Sequence, residues 1–343
     1  MMKRLKTRLK NLLVILRRLF PVLRNGLVEI CGYREYAKFK RKFGVNCVIC
    51  ACAWEGTGDY YICGMYMKQW VRINNVSDYK FICLDSAKQR IVELFDSNTG
   101  KTYIPDSIND YWYVRWLAVF CNIDFYWLQY NSDDPDLARG VIQQVPVGYL
   151  PGYKGLEIVD TFVYGGFNLP RDIKPEIPEF DADSKIIDEL FEKTKAQFYK
   201  TVLISPFTSS LTESSPPSEL WQIIINELIN RGYSVLTNCA ANEEPLPNAK
   251  PILVPYRHIV PFLDAAGGFI GLRSGLCDII STTKAKKIIL HPYEAKYWPD
   301  GTSLKFTGLN HMGLCDDAIE FEAAPAWGNW EQIASDILRV FSQ

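Results

Sequence analysis

Hydrophobic and polar positions divide the chain into strands and helices that alternate from residue 45 onward. Val45–Ala53 is a continuous apolar run that predicts a buried strand, and Tyr60–Ile73 after it has the spacing of a helix. A strand over Tyr79–Asp85 and a helix over Ser86–Leu94 are predicted next. This order predicts a parallel α/β unit in the first half of the chain.

The alternation is clearer in the second half. Strands are predicted over Thr201–Ser205, Tyr233–Asn238, Phe269–Leu272 and Lys286–His291, and helices over Asp183–Lys200, Ser218–Arg231, His258–Ala266 and Gly275–Lys284. In the helix that begins at Ser218, which is expected to cap it, the residues expected to face the core are Leu220, Ile223, Ile224 and Leu228. Strands alternating with helices imply a mostly parallel sheet that is covered on both faces.

A segment rich in proline and charge separates the two halves. Arg171–Glu179 contains two prolines among charged residues, which resist regular structure and predict a linker over 171–182. The predicted fold class is therefore α/β, with one Rossmann-like domain over 45–170 and another over 183–335. We expect the two domains to face each other across a cleft.

The first 25 residues form a separate basic, amphipathic segment. Leucines recur there at helical spacing, and no acidic residue occurs before Glu29. Arg17 and Arg18 interrupt the apolar stretch, so it is too short to span a bilayer, and no small-residue cleavage site of a secretory signal follows. Such a helix fits the anionic cytoplasmic surface of the plasma membrane, which predicts a cytoplasmic, peripheral protein. Docking on the protein's own core is the alternative.

Overall charge and cysteine usage exclude several classes of protein. The net charge of −1 argues against a polycation that binds nucleic acid. The 10 cysteines form no evenly spaced framework, and Cys47, Cys50 and Cys52 lie in a predicted strand without a second pair at zinc spacing. We expect free thiols, no metal and no cofactor.

A glycine turn between the first strand and helix carries the first candidate site. Gly56 and Gly58 allow the chain to turn sharply and to approach a ligand closely. Asp59 then begins a helix, where it is either a helix cap or a general base that takes a proton from a hydroxyl. Glu55 is the reserve candidate for the base.

A second glycine turn, Arg273–Asp278, carries the complementary site. It follows a strand and opens a helix, whose free N–H groups favour an anion, and an arginine side chain suits phosphate. Hydroxyl groups and a carboxylate from neighbouring strand ends add donors for a diphosphate and acceptors for a ribose. The candidate set is Ser205, Thr208, Ser209, Glu243, Arg273, Ser274 and Gly275. The alternative is an ordinary turn, with Ser274 as helix cap and Arg273 in an ion pair.

These motifs resemble the two-domain glycosyltransferases called GT-B, and within them the lipopolysaccharide heptosyltransferase group, glycosyltransferase family 9. Gly58-Asp59 matches the Gly-Asp turn of that family, and Ile204–Ser209 matches its Pro-Gly-Thr-like turn. Pro217 and Trp221 flank the next helix start as in the family. Arg273–Asp278 occupies the place of an acidic residue, Ser/Thr, Gly, two residues and His.

The resemblance implies metal-independent, inverting transfer of a sugar from a nucleoside diphosphate to a lipid-linked or polysaccharide acceptor. It assigns the base to Asp59 and adds Asp278 to the donor site. Arg273 replaces an acidic residue of the family, Asp278 replaces a histidine, and Ser214 and Ser215 stand where a donor-binding lysine is expected. These departures argue against ADP-heptose as the donor. A sugar-nucleotide epimerase of similar fold and a non-catalytic sugar- or nucleotide-binding protein are the alternatives.

Overall fold

The computed structural model describes most of the chain from residue 32 to residue 342. The described residues are 32–52, 56–96, 99–106, 125–127, 158–160, 162–163, 167, 169–170, 172–208, 215–240, 243–293 and 303–342. The basic segment over 1–25 and the candidate residues Glu55 and Ser209 lie outside them. Within these ranges, no helix combines the length and the apolar character needed to cross a bilayer.

The described residues of the first half of the chain form a parallel four-stranded sheet. Its strands are β1 (Val48–Ala51), β2 (Tyr79–Ile82), β3 (Thr102–Tyr103) and β4 (Phe125–Trp127). Its helices are α1 (residues 32–43), α2 (Thr57–Ile73) and α3 (Ser86–Phe95), with a further helical turn at Ile158–Asp160. The strand order is β3-β2-β1-β4, and every pair is parallel.

The second half forms a parallel six-stranded sheet. Its strands are β5 (Thr201–Ser205), β6 (Ser234–Asn238), β7 (Lys250–Ile252), β8 (Gly267–Leu272), β9 (Lys286–His291) and β10 (Ile319–Glu322). Its helices are α4 (Ser184–Thr194), α5 (Ser218–Asn230), α6 (Tyr256–Ala266), α7 (Gly275–Ile279), α8 (Leu304–Thr307) and α9 (Trp330–Val340). The strand order is β10-β9-β8-β5-β6-β7, again parallel throughout.

Both sheets share the strand order of doubly wound nucleotide-binding folds. Numbered along the chain within each half, the second sheet runs 3-2-1-4-5-6 and the first runs 3-2-1-4. The order reverses between β1 and β4 in the first sheet and between β5 and β8 in the second. Loops that leave the carboxyl ends of strands at such a reversal form a crevice for ligands. The turns that precede α2 and α7 therefore lie at the two reversal points.

Helix α2 packs between the two halves. It is buried nearly all round, with Tyr60, Tyr61 and Met65 each at most 5% exposed. These residues belong to one hydrophobic cluster that also contains Leu203 and Phe262 of the second half. Thr57 and Gly58 of α2 also lie directly against Gly275 of α7. The described residues thus form a continuous core from one sheet to the other at α2, where the sequence predicted a cleft between the two domains.

The sequence predicted several elements correctly and others with errors. The predicted bounds of β5 and β9 coincide with those observed, which confirms both strands. Helix α4 ends at Thr194 because the next residue, Lys195, has a left-handed backbone with φ of 52°. In α5, Ile223 is 44% exposed and Ile225 is fully buried, so the inward position of Ile223 was wrong. The N-cap of that helix is Pro217, so the prediction of Ser218 as the cap was wrong too.

Replacing Gly275 by alanine tests the close approach of α2 and α7. A Cβ atom at Gly275 would collide with the backbone nitrogen of Gly58 and lie 2.6 Å from Thr57 Cβ. Because a backbone atom of a packed helix has little room to move, Gly275→Ala should lower the free energy of unfolding by about 1–3 kcal/mol. Chemical denaturation monitored by circular dichroism measures this change.

The matched control is Gly328→Ala. The nearest atom to a Cβ at Gly328 is the Pro325 carbonyl oxygen at 3.4 Å, which is ordinary contact. Its φ of −59° also suits alanine. Equal stabilities of the two variants would contradict the close approach of the helices.

Candidate functional site

The turn after β1 places Asp59 in the first turn of α2. Gly56 is the N-cap residue, and its N–H donates to Oδ2 of Asp59 at 3.0 Å. Asp59 therefore fills one of its two predicted roles, that of a helix cap. Asp59 is half-buried as a residue, and Gly56 beside it is exposed. A base that takes a proton from a substrate hydroxyl needs an approach from solvent of this kind.

The turn after β8 places Ser274 at the N-cap of α7 and Gly275 at its first position. Ser274 makes no side-chain capping bond, and its hydroxyl lies 3.9 Å from Cys277 Sγ. Ser274 therefore occupies the N-cap position that the sequence alternative gave it, but without a side-chain capping bond. Ser274 and Gly275 are both partly exposed, so each remains within reach of a ligand.

The guanidinium of Arg273 is held by the protein itself. Its Nε donates to the carbonyl of Thr307 at 2.5 Å, and its Nη1 donates to the carbonyl of Ser274 at 2.6 Å. Its Nη2 donates to Asp278 Oδ1 at 2.7 Å in an ion pair. Arg273 is 9% exposed and Asp278 is 2% exposed. The ion pair, which the sequence analysis gave as the alternative, is present in the structure. The donors of this guanidinium are directed at groups of the protein, so the expectation that it binds phosphate directly is corrected. The physical reason is that a buried cation requires a partner, and the first turn of α7 supplies a carboxylate.

Asp278 links the two turns. A Cβ atom at Gly58 would collide with the Asp278 carboxylate and would lie 3.2 Å from the Gly275 Cα, so only glycine fits this approach. Burial and the nearby Asp278 carboxylate raise the pKa of Asp59 to about 7, against the opposing effects of the Gly56 N–H and Arg273. Burial also raises the pKa of Asp278, although Arg273 opposes this shift. A carboxyl group whose pKa is raised to about 7 by burial and by a second carboxylate is therefore positioned at the meeting point of the two halves.

The remaining donor-site candidates lie along the carboxyl edge of the second sheet. Ser205 ends β5 beside Gly271 of β8 and is 4% exposed, so its side chain is largely covered. Thr208, in the following loop, is partly exposed. Oε2 of Glu243 accepts the Ala240 N–H at 2.7 Å, so this carboxylate shapes the loop after β6. The structure therefore leaves Thr208 and Glu243 more accessible than Ser205.

A buried polar network at the end of β9 was missed by the sequence analysis. His291 Nδ1 lies 3.0 Å from Ser303 Oγ, and His291 Nε2 lies 3.0 Å from Glu320 Oε1. Glu320 also accepts the N–H groups of Leu309 and Asn310 at 2.8 and 3.2 Å. Ser303 is 1% exposed, so this Ser-His-Glu array is closed to a substrate and has a structural role.

This network positions the loop that holds Arg273. The Ser303 carbonyl accepts the Thr307 N–H at 2.8 Å, and the Thr307 carbonyl in turn accepts Arg273 Nε. His291 was visible in the sequence as the polar end of an apolar strand. Its partners were not, because Ser303 and Glu320 lie 12 and 29 residues away along the chain and no sequence pattern connects them to it.

The three cysteines in and beside β1 are buried thiols. Cys47, Cys50 and Cys52 are free and buried, and burial raises the pKa of Cys50 well above its usual value. In the part of the chain that the structure describes, no three His, Cys, Asp or Glu side chains converge on a metal position.

Comparisons with known proteins give structural similarity only. No protein-family model and no curated protein matches the chain. The chain is similar to the Escherichia coli ADP-heptose lipopolysaccharide heptosyltransferase II, at 10% identity and a TM-score of 0.49, over 85% of this chain and 97% of that one. It is similar to a family 9 glycosyltransferase from Veillonella parvula, at 11% identity and a TM-score of 0.40, over 84% of this chain and 90% of that one.

A third similar structure is the iron-containing dodecameric glycosyltransferase TibC from enterotoxigenic E. coli, at 14% identity and a TM-score of 0.45. The match covers 71% of this chain, which spans about 60% of the length of TibC. All three structures are glycosyltransferases, the class that the sequence motifs resemble. Each of these TM-scores is below 0.5, so the similarity by itself establishes no function.

The raised pKa of Asp59 predicts a specific dependence of stability on pH. In an unfolded chain the carboxyl group of an aspartate has a pKa of about 3.9. The folded state therefore binds more protons between about pH 4 and pH 7, so the free energy of unfolding falls as the pH rises through this range. Asp59→Asn removes the titration and keeps an acceptor for the Gly56 N–H.

Between pH 5 and pH 8 the wild type should lose about 1–2 kcal/mol more stability than Asp59→Asn, a figure reduced for the partial exposure of the group. Urea denaturation at a series of pH values measures both curves. Parallel curves for the two proteins would show that Asp59 has an ordinary pKa.

Proposed function

We propose that the chain is a glycosyltransferase of the GT-B type, which moves a sugar from a nucleoside-diphosphate donor to a glycan or glycolipid acceptor. The observation that carries this proposal is the position of Asp59. Asp59 is a half-buried residue whose carboxyl group has a pKa raised to about 7, located where the reversal points of two doubly wound sheets meet. The donor would bind in the crevice of the second sheet, and the acceptor on the first.

The proposed reaction is a single displacement. Asp59 takes the proton from an acceptor hydroxyl, whose oxygen forms a bond to the anomeric carbon of the donor sugar. The bond between that carbon and the diphosphate oxygen breaks, and its electron pair leaves with the nucleoside diphosphate. A base whose pKa lies near the working pH suits this proton transfer. The family resemblance adds inversion at the anomeric carbon and the absence of a metal or cofactor.

The leaving diphosphate would be held by neutral donors rather than by the arginine. Ser274 and Thr208, which carry hydroxyl groups, are half-buried residues at the carboxyl edge of the second sheet. The N–H groups of Gly275 and Leu276 at the start of α7 have no intrahelical acceptor, whereas that of Cys277 donates to the Ser274 carbonyl at 2.9 Å. Arg273 contributes indirectly, since it compensates the charge of Asp278 that would otherwise repel the diphosphate.

The proposed location is the cytoplasmic face of the plasma membrane, with peripheral attachment. The basic, acid-free sequence before Glu29 supports it. A sugar-nucleotide epimerase would act on the donor without an acceptor, and a binding protein would hold the donor without turnover. The turnover of an Asp59→Asn variant and the binding of nucleoside diphosphates distinguish these functions.

Substitution of the proposed base should abolish most of the turnover. Asp59→Asn should lower kcat by about 10²–10⁴-fold, because the amide takes no proton, while binding of the nucleoside diphosphate stays unchanged. The wild-type kcat should rise with pH through about 7 as Asp59 ionises. Steady-state kinetics with the active donor measure both effects.

Asp85→Asn is the matched control. Asp85 follows β2 on the same sheet and caps α3, with its Oδ1 accepting from Ala87 and Lys88 at 2.9 Å each, and an asparagine retains this cap. Unchanged turnover in Asp59→Asn would remove Asp59 as the base. Formation of an epimerised donor in the absence of acceptor would favour the epimerase.

A panel of nucleoside diphosphates should identify the donor. The diphosphate that binds the folded chain stabilises it by about 2.7 kcal/mol at a free concentration 100 times its Kd, which raises the melting temperature. UDP, ADP, GDP, CDP and dTDP are compared by thermal shift, with the matching monophosphates as controls. The absence of a shift with every diphosphate would contradict a nucleotide site, and a shift without turnover of any sugar donor would favour the binding protein.

A further inference from the structure

Helix α1, which the site does not use, has two chemically distinct faces. Gly32, Glu35 and Phe39 are buried on one face. The exposed side of the helix carries cations at positions i, i+4, i+7 and i+8, and the last of these borders the buried face. These cations are Arg34, Lys38, Arg41 and Lys42. We call this surface the α1 basic face.

The orientation of the helix is fixed by aromatic packing. The rings of Phe39 and Phe43 pack edge-on against Tyr103 of β3, with centroids 5.5 and 5.1 Å apart. At the carboxyl end of α1, Lys40 Nζ donates to the carbonyls of Val45 and Cys47 at 3.0 and 2.9 Å. The apolar face is therefore occupied by the protein, and the α1 basic face points to solvent.

The positive charge continues beyond the helix. Lys42 Nζ lies 4.1 Å from the Tyr103 ring centroid, and Lys80 Nζ of β2 lies 5.6 Å from that of Phe43. The carboxylate of α1 itself, Glu35, is 6% exposed and paired with Lys38. Five cations and one carboxylate on a helix of a chain with net charge −1 make this a local concentration of positive charge.

We infer that the α1 basic face, together with Lys80, is a docking surface for an anionic phospholipid bilayer. Clusters of four to eight basic residues bind acidic headgroups by their charge. The exposed residues at the two ends of the surface are Tyr33 and Val45, at 49% and 75%, and tyrosine is a side chain that lies at headgroup level. The sequence immediately before it adds eight basic residues and no acid before Glu29.

A bilayer fits this surface better than a nucleic acid does. Binding of single strands without sequence preference uses aromatic rings on which bases stack, within a charged groove. Phe39, Phe43 and Tyr103 pack against one another here, and Lys42 covers the Tyr103 ring. A convex helix with lysines and arginines on its outer face suits a flat charged surface.

Vesicle flotation with the full chain tests the surface. The wild type should float with vesicles of 70% phosphatidylcholine and 30% phosphatidylserine, and should not float with pure phosphatidylcholine. The quadruple variant Arg34→Gln, Lys38→Gln, Arg41→Gln and Lys42→Gln should bind the anionic vesicles at least tenfold more weakly, because each lost cation weakens the attraction. Raising the salt concentration should also weaken the binding of the wild type to the anionic vesicles, because salt screens the attraction between exposed charges.

A control variant carries the same change of net charge on the second half of the chain. Its substitutions are at exposed lysines, Lys185→Gln, Lys193→Gln, Lys195→Gln and Lys284→Gln. It should float like the wild type, and circular dichroism melting should show that both variants fold. No turnover is needed, so the result is independent of the proposed transferase activity.

Three outcomes would overturn the inference. The quadruple variant could float as well as the wild type, which would assign binding to another part of the chain. The control variant could lose binding equally, which would show a net-charge effect. The quadruple variant could bind a single-stranded 30-nucleotide RNA more weakly than the wild type does while its vesicle binding is unchanged. That result would make this a nucleic-acid surface.

Discussion

The close approach of the Gly58 and Gly275 backbones is the constraint on which the site depends. Two helix starts meet there with no room for a side chain on either, and one of them carries Asp59 while the other carries Asp278. Because the Asp278 carboxylate is thereby pressed against α2, its charge acts on Asp59 across the junction. The junction thus couples the electrostatics of one half to the chemistry expected of the other.

The same constraint explains why Arg273 is a structural cation in this chain. A carboxylate buried at the junction would be costly alone, and the guanidinium five residues earlier in the sequence compensates it. The arginine is itself held by the Thr307 carbonyl, on a loop anchored by His291, Ser303 and Glu320. Burial acts to lower the pKa of His291, and Arg273 acts in the same direction, so the neutral imidazole is favoured beside its partners. A network that starts at β10 therefore determines the charge balance next to Asp59.

The sequence predicted what depends on local patterns and missed what depends on distant partners. Apolar runs of five and six residues correctly delimited β5 and β9, since buried parallel strands are hydrophobic on both faces. The three-residue β7 contains a proline, and β10 alternates Ile-Glu-Phe-Glu with all four residues half-buried, so neither has that signature. Asp59 lies in the first turn of α2, as predicted, because a glycine turn before a helix is a local signal. The choice between an ion pair and a phosphate contact for Arg273 was left open, because the ion pair with Asp278 depends on the burial of both side chains in the folded chain.

The burial of α2 on all sides has a consequence for how this chain can be divided. Cutting between residues 171 and 182 would leave α2 with one half, and its tyrosines and methionines would face water where α6 and α7 now cover them. Each fragment would therefore lose part of the burial that stabilises it, although each keeps the strands of its own sheet. Evolutionary exchange of one half alone would have to replace the contact side of α2 at the same time. The properties of such a chain are therefore more readily altered by loop substitutions than by recombination of whole halves.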